Sequence, residues 1–373
     1  MRLVIVSNTS TYMVRFRSEL MAEMVRRGCD VTVLSPNDEY ASELEWPAVE
    51  RIELALQQHG LNPLSELRTL FQLIAAFRRL RPTLVVNYTV KPALYGSIAA
   101  RLTRVPRVVS VFTGLGYWFT DARTLRSATG HAIRAALRLA LRRNARVYFQ
   151  NRDDRDLFVQ LGLTSAAGTR IIDGSGVDTE RFAPAAAGAA QATFLLVARL
   201  LAEKGVREFA AAAQELRRRH PQARFQLVGP IDRNPAAIGH AELDGWRASG
   251  AVEYLGEVPD VRPLIAAAGV VVLPSYREGT PRSVLEAMAM GKPIVTTDAP
   301  GCRETVQNGV NGFLVRPRDA HALAAAMETF LQQPGLIARM GSESRRIAVQ
   351  RYSVAKVNAA FLDDLLTPAA TSK

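Results

Sequence analysis

The residues that most resemble working chemistry fall in one stretch, 275–287, which reads Ser-Tyr-Arg-Glu-Gly-Thr-Pro-Arg-Ser-Val-Leu-Glu-Ala. Two carboxylates, Glu278 and Glu286, stand eight residues apart in it. Glu278 lies in a loop beside Gly279, and Glu286 is expected on the first turn of a helix that stops at Gly291. A strand, a tight loop and a helix N-terminus together make an anion site with free backbone N–H groups. Here a loop carboxylate suits sugar hydroxyls, and Glu286 suits a vicinal diol such as ribose. Ser283-Val284-Leu285-Glu286 is equally a capping box, and Glu278 alone reads as a solvated acid. A pair of cations precedes them: Arg199 and Lys204, five residues apart and followed by Gly205. Arg grips phosphate oxygens bidentately and Lys adds a point charge. Each such contact is worth about 1.5–3 kcal/mol, and both favour a departing diphosphate. The bland alternative is two surface cations beside Glu203.

Other signals are weaker. Val228-Gly229-Pro230 and Tyr254-Leu255-Gly256-Glu257-Val258 are strand ends opening onto glycine, where backbone can approach a base or phosphate. Asp154-Arg155-Asp156 has the spacing of a metal-binding Asp-x-Asp. Its acids begin a helix and complement its dipole, and the interleaved arginines oppose a cation. The five histidines, at 59, 131, 220, 240 and 321, have no Ser or Cys context that suggests a nucleophile. Residues 112–119 read Phe-Thr-Gly-Leu-Gly-Tyr-Trp-Phe and either line a cleft or supply core aromatics.

The elements that must position these groups alternate strand and helix throughout. Short apolar runs at 3–6, 31–34, 84–87, 108–112, 147–150 and 170–172 predict strands in the first half, with helices at 18–27, around 67–77 and at 123–143. The second half repeats the pattern, with strands at 194–198, 225–228, 252–255, 270–274, 294–297 and 313–315. Strands this apolar, separated by helices, indicate parallel sheets covered on both faces. The fold class is therefore α/β, with two doubly wound, Rossmann-like domains facing across a cleft. The expected division is 1–168, 169–354 and a C-terminal helix and tail, 355–373, which packs back across a domain; the Ala-rich stretch 184–192 is a second candidate boundary. Ligands in such folds sit at the carboxyl ends of the strands.

The whole composition fits this picture. The chain has 373 residues, 48% hydrophobic and 22% charged, which suits two globular domains and excludes a disordered chain. Residues 1–172 carry 24 Lys+Arg against 14 Asp+Glu, and the remainder carries 23 against 21. The basic surplus thus belongs to the first half and points to an anionic surface or substrate, or to a solvated Arg-rich face. Two cysteines, Cys29 and Cys302, form no zinc spacing or disulfide framework, which suits a reducing, cytoplasmic setting. The longest uncharged run, 17 residues at 182–198, is broken by Pro184 and Gly188 and is too short to span a bilayer. The apolar run at the N-terminus is too short for a signal peptide.

Taken in order, Arg199…Lys204-Gly205, Tyr254-Leu255-Gly256, residues 273–287, Gly291-Lys292-Pro293, Gly301-Cys302-Arg303-Glu304 and Asn311-Gly312-Phe313 resemble the retaining glycosyltransferases of family four, which have the GT-B fold. Lys91-Pro92-Ala93-Leu94-Tyr95-Gly96, residues 112–117, residues 150–157 and Asp232-Arg233-Asn234-Pro235 resemble its capsule- and glycan-building branch. The resemblance implies a UDP-sugar donor held by the second domain and needs no metal or other cofactor. Arg199 and Lys204 would hold the diphosphate, Glu286 the ribose, and the Glu257–Val258 backbone the base, with Gly229 also in the donor site. Glu278, with the backbone around Gly279, Thr280 and Pro281, would position the sugar, and Ser283 and Val284 at the helix start would also touch the donor. Asn8, Thr9, Ser10, Thr11, Lys91, Thr113 and Gly114 would line the acceptor site of the first domain. Many relatives carry a His where Thr113-Gly114 stands, so the acceptor hydroxyl has no evident side-chain base. The implied partners are a nucleotide-sugar, an undecaprenyl-type lipid-diphosphate saccharide and an anionic membrane surface, with the enzyme peripheral on the inner face. Two rivals follow: a UDP-sugar epimerase of the same fold, and a nucleic-acid-binding module suggested only by the pI. The second lacks any aromatic–basic motif, and no nucleic-acid partner is expected.

Overall fold

Strands as apolar as Leu84-Val85-Val86 can be stable only when both sheet faces are covered, and that requirement organises the whole chain. A computed structural model describes residues 1–44, 46, 48–57, 62–115, 119, 126–184, 192–232 and 236–367. Two compact units emerge, one of Met1–Ser175 with the chain from Asn358 onward, the other of Gly176–Val357.

The first unit holds β1 (Arg2–Val6), β2 (Asp30–Ser35), β3 (Val49–Glu53), β4 (Leu84–Tyr88), β5 (Arg107–Phe112), β6 (Arg146–Phe149) and β7 (Thr169–Ile171). All pair in parallel, in the order β3-β2-β1-β4-β5-β6-β7. Its helices are α1 (Ser10–Arg26), α2 (Pro63–Leu80), α3 (Val90–Leu102), α4 (Ala128–Leu141) and α5 (Arg152–Gln160). The second unit holds β8 (Thr193–Val197), β9 (Arg224–Val228), β10 (Glu253–Tyr254), β11 (Val270–Leu273), β12 (Ile294–Thr297) and β13 (Gly312–Val315). They too are parallel, in the order β10-β9-β8-β11-β12-β13. Its helices are α6 (Val206–Arg219), α7 (His240–Ala248), α8 (Arg262–Ala267), α9 (Arg282–Ala289), α10 (Ala320–Gln332) and α11 (Gly335–Ile347). A last helix, α12 (Val354–Leu366), begins in the second unit and ends in the first. Both sheets are doubly wound, and each reverses its strand order once, at β1/β4 and at β8/β11. Among the described residues no helix is long and apolar enough to cross a membrane.

Three boundaries differ from the sequence pattern, two because a long-range contact decides them and one because of a local cap. The first helix starts at Ser10, not at 18, because Asp38 from the loop after β2 caps it. One oxygen of Asp38 accepts both the Ser10 N–H (2.7 Å) and the Thr9 hydroxyl (2.6 Å). The helix expected at 123–143 is α4, with the Ser127 side chain accepting the Gly130 N–H; 123–125 lie outside the described residues. The boundary expected at 168/169 falls one strand early. Thr169–Ile171 pairs with β6 as the edge of the first sheet, and the units divide after Ser175.

Helix α12 brings Phe361, Leu362 and Leu365 into the core of the first unit beside Leu3, Val109 and Tyr148. The Tyr148 hydroxyl donates to Asp364 (2.6 Å) and Arg27 pairs with Asp363 (2.6 Å). Leu362 is wholly buried. Leu362→Ala is expected to destabilise the first unit by about 2–5 kcal/mol. A urea titration should show its transition at lower denaturant while that of the second unit stays in place.

Candidate active site

In a doubly wound sheet the crevice opens where strand order reverses, because the loops leaving the two central strands diverge there. In the second unit those loops follow β8 and β11 and carry Arg199, Lys204 and Glu278. The two loops are joined backbone to backbone. The Tyr276 N–H donates to the Glu203 carbonyl (2.8 Å), and the Ser275 hydroxyl donates to the same oxygen (3.0 Å). Gly205 has φ +71°, and a Cβ there would stand 2.1 Å from the Pro274 carbonyl oxygen. Only glycine allows that approach.

This junction places Lys204 Nζ 2.5 Å from Glu278 Oε1, both side chains about 15% exposed (15% and 14%). Ser275, fully buried, has its hydroxyl 2.8 Å from that oxygen as well, so its one proton is shared between Glu278 and the Glu203 carbonyl. A third loop holds Glu278 from behind: its N–H donates to the Pro300 carbonyl (2.9 Å). Gly301, at φ +81°, lets the backbone pass where a Cβ would lie 2.2 Å from the Glu278 carbonyl oxygen. Beneath them the Thr297 hydroxyl donates to the Ser275 carbonyl, and Cys302 lies fully buried. Burial, aided by the Glu278 charge, pushes the Cys302 thiol up to about 12, so it is neutral at ordinary pH.

Glu286 lies on the second turn of α9, and Pro281 is the N-cap residue. Ser283 is inside the helix, so the capping-box alternative is not formed. Glu286 instead accepts from Arg282 Nε one turn earlier (3.0 Å), while Arg282 Nη1 donates to the Gly176 carbonyl (2.8 Å). Burial raises the Glu286 carboxyl above its ordinary range against the lowering effect of Arg282. Pro281 is buried beside Gly279, Thr280 is half-buried, and the Val284 side chain sits in the apolar cluster with Leu273 and Ile294. Only the backbone of Val284 is left to face a ligand, as one of the first-turn N–H groups that lack intrahelical acceptors.

The remaining second-unit residues are spread along the same sheet edge. Arg199 turns toward the loop after β9, where Nη1 donates to Asp232 (2.8 Å), and its side chain is 58% exposed. Gly229 donates its N–H to the Gly256 carbonyl (2.9 Å) and accepts from the Tyr254 hydroxyl (2.9 Å). A Cβ on Gly229 would stand 1.9 Å from the Ala198 carbonyl oxygen, so the ends of β8, β9 and β10 close on it. Glu257 is exposed, and Val258 packs against the cluster beneath α9.

In the first unit Asn8, Thr9, Ser10, Thr11 and Lys91 stand at the β1/β4 reversal. Ser10 is fully buried, with its hydroxyl on Pro36 O (2.7 Å) and Ser35 Oγ (2.9 Å), and together with Thr9 it anchors α1. Their side chains therefore serve the helix start, whereas Asn8 and Thr11 are half-buried at the edge. Lys91 Nζ is 2.6 Å from Glu66 on α2 and 2.9 Å from the Gln57 carbonyl. Thr113 and Gly114 follow β5, one strand further over. Gly116, Tyr117, Trp118, Arg233, Asn234 and Pro235 lie outside the described residues. Asp154 is buried in the first turn of α5, its N–H capped by Asn151 Oδ1 (2.8 Å). Among the described residues no cluster of three or more His, Cys, Asp or Glu side chains is placed to hold a metal ion.

Two neighbours of the candidate residues escaped the sequence reading. Ser275 orients Glu278, and its only signal is a hydroxyl directly after the strand. Arg282 pairs with Glu286, and the i, i+4 spacing of opposite charges announces it.

Two parallel doubly wound sheets, the second with a cation–carboxylate pair at its strand reversal, make up the architecture of the GT-B fold. The chain matches the family model for glycosyl transferases group 1 over residues 191–333 and that for the glycosyl transferase 4-like domain over residues 13–172. It is a glycosyltransferase of this family. It is 28% identical over 363 residues to the N,N'-diacetylbacillosaminyl-diphospho-undecaprenol alpha-1,3-N-acetylgalactosaminyltransferase of Campylobacter jejuni, covering 94% of each chain. It is 21% identical to the capsular polysaccharide biosynthesis glycosyltransferase CapM of Staphylococcus aureus, covering 88% of this chain and 87% of that one. The structure of Anabaena HepE in complex with UDP and glucose superposes with a TM-score of 0.79 at 22% identity, over 99% of this chain and 100% of that one.

Gly205→Ala forces both a strained φ and a backbone clash, so a stability loss of about 1–3 kcal/mol is expected, read as a lower Tm. Both cysteines are buried with thiols raised by burial. At pH 8 neither should react with a thiol reagent in the native protein, and both should react once it is unfolded.

Proposed function

We propose that the chain transfers a hexosyl or N-acetylhexosaminyl group from a UDP-sugar to a saccharide carried on an undecaprenyl-type lipid diphosphate, with retention of anomeric configuration. The product would serve surface-glycan or capsule assembly, with the enzyme peripheral on the inner face of the cytoplasmic membrane. The observation that carries this reading is the Lys204–Glu278 pair at the β8/β11 reversal, 2.5 Å apart and backed by a helix N-terminus. The likeness to the Campylobacter enzyme over nearly the whole chain supports the lipid-linked acceptor.

The residues divide the work by their chemistry. Lys204 holds a diphosphate oxygen, and Arg199 reaches the same group when it leaves Asp232. The Glu286 carboxylate accepts from the ribose hydroxyls, kept in place by Arg282. Backbone at Gly229, Glu257 and Val258 meets the base. Glu278, oriented by Ser275, accepts from hydroxyls of the donor sugar, while the N–H groups around Gly279 to Val284 face anionic oxygens. In the transfer, the bond from the sugar C1 to the β-phosphate oxygen breaks and a bond from C1 to the acceptor oxygen forms on the same face. The acceptor proton passes to the departing phosphate, so no side-chain base is required. Charge grows on that phosphate as the bond breaks, and Lys204 stabilises it most at that moment. The acceptor enters beside Asn8, Thr11, Lys91, Thr113 and Gly114 of the first unit.

Calorimetry with a panel of UDP-sugars, on wild type, Lys204→Ala and Glu278→Ala, tests the assignment. Both variants should lose donor affinity, and Lys204→Ala should lower kcat by about 10²–10³-fold. Unchanged donor binding in both variants removes the site from this role. NMR of the first-formed product from an α-linked donor should show an α-glycoside. Turnover of a UDP-sugar without acceptor, giving its epimer, would point to isomerisation instead.

A further inference from the structure

Helix α2 carries apolar side chains on two opposite faces. Its inner face buries Thr69, Leu73 and Phe77, the last two in the cluster under β1 and β4. Its outer face carries Leu64, Leu67 and Phe71, which are 78%, 50% and 66% exposed. Spacings of three and four residues set these three in one row. Arg68, Arg78 and Arg79, all exposed, fall within the same arc of about 120°. A row of apolar side chains with cations at its margin is the surface of a helix lying in a lipid interface. There the apolar groups enter the acyl boundary and the guanidinium heads stay among phosphates.

We propose that the outer face of α2 docks on an anionic lipid leaflet, inserting Leu64, Leu67 and Phe71 and placing Arg68, Arg78 and Arg79 at the headgroups. This deepens the reading of a lipid-linked acceptor and rests on it. Charge complementarity selects lipid over a second copy of the chain. A two-fold contact through this face would bring the arginine-bearing margins of two identical helices together, and like charges oppose it. The 24 cations against 14 acids of residues 1–172 extend the attraction to an anionic surface. The same first turn also leads to the acceptor side, since Glu66 on α2 is 2.6 Å from Lys91 at the β1/β4 reversal. A lipid-borne substrate would thus meet the protein at the end of the helix that touches its leaflet.

The test is flotation of the full chain with phosphatidylglycerol-containing and pure phosphatidylcholine vesicles. Wild type should float with the anionic vesicles, and a Leu64→Ser, Leu67→Ser, Phe71→Ser triple variant should bind at least about tenfold more weakly. A Phe71→Trp variant should gain a blue-shifted, bromolipid-quenched emission on those vesicles. The triple variant should keep its Tm and its transfer to a short-chain acceptor dissolved without vesicles. Undiminished flotation of the triple variant, or an unquenched indole emission from the vesicle-bound Phe71→Trp variant, overturns the proposal. So does a wild-type dimer in sedimentation equilibrium that the triple variant abolishes, which would assign the face to a second copy. Absence of transfer by wild type to any lipid-linked acceptor, with vesicle binding as expected, would strike the functional reading and leave the docking face standing.

Discussion

The second unit is organised around one ion pair. Lys204 and Glu278 are separated by 74 residues in sequence, yet their charged atoms meet at the mouth of the β8/β11 crevice. A partly buried charge without a partner costs free energy, because the interior screens it poorly. When no ligand is bound, each group supplies the counter-charge of the other, and Ser275 fills a further acceptor position on the carboxylate. The surrounding backbone is arranged to let them meet. Gly205 and Gly301 occupy left-handed conformations at points where a Cβ would collide with Pro274 or Glu278 carbonyl groups. The glycines thus hold two charges in register by letting three loops touch.

The first unit solves the same problem in the same place. At its own strand reversal Lys91 stands 2.6 Å from Glu66, and both side chains are largely buried (14% and 11% exposed). In both units a lysine in or beside the first turn after the crevice is matched by a carboxylate from another element. This follows from the architecture: parallel strands send all their carboxyl ends to one edge, where helix N-termini gather and charged groups find their use. The final helix adds another constraint, because the apolar residues that complete the core of the first unit come from the end of the chain.

Much of this was legible in the sequence, for identifiable reasons. Apolar runs of four to six residues alternating with helical periodicity required covered parallel sheets, and they located nearly every strand. The sequence pattern predicts Arg199, Lys204 and Glu278 in loops after strand ends, and they stand there, with Lys204 and Glu278 in contact. Local pattern misled where distant groups intervene. The first helix is eight residues longer at its start because Asp38 caps it from 28 residues away. Ser283 and Glu286 have capping-box spacing, yet the helix begins two residues earlier, with Pro281 as its N-cap, and Arg282 claims the carboxylate. Thr169–Ile171 has no local feature that assigns it to one sheet or the other; pairing with β6 decides it.

What the sequence determined by itself was the set of elements and the chemical types available at their ends, since apolar periodicity and residue chemistry are local properties. The tertiary structure alone decided which of those groups share a site. It paired Lys204 with Glu278 and left Arg199 with Asp232, turned Ser10 inward, and left Leu64, Leu67 and Phe71 uncovered. Those outcomes depend on strand order and on the close passage of loops, which arise only when the whole sheet has formed.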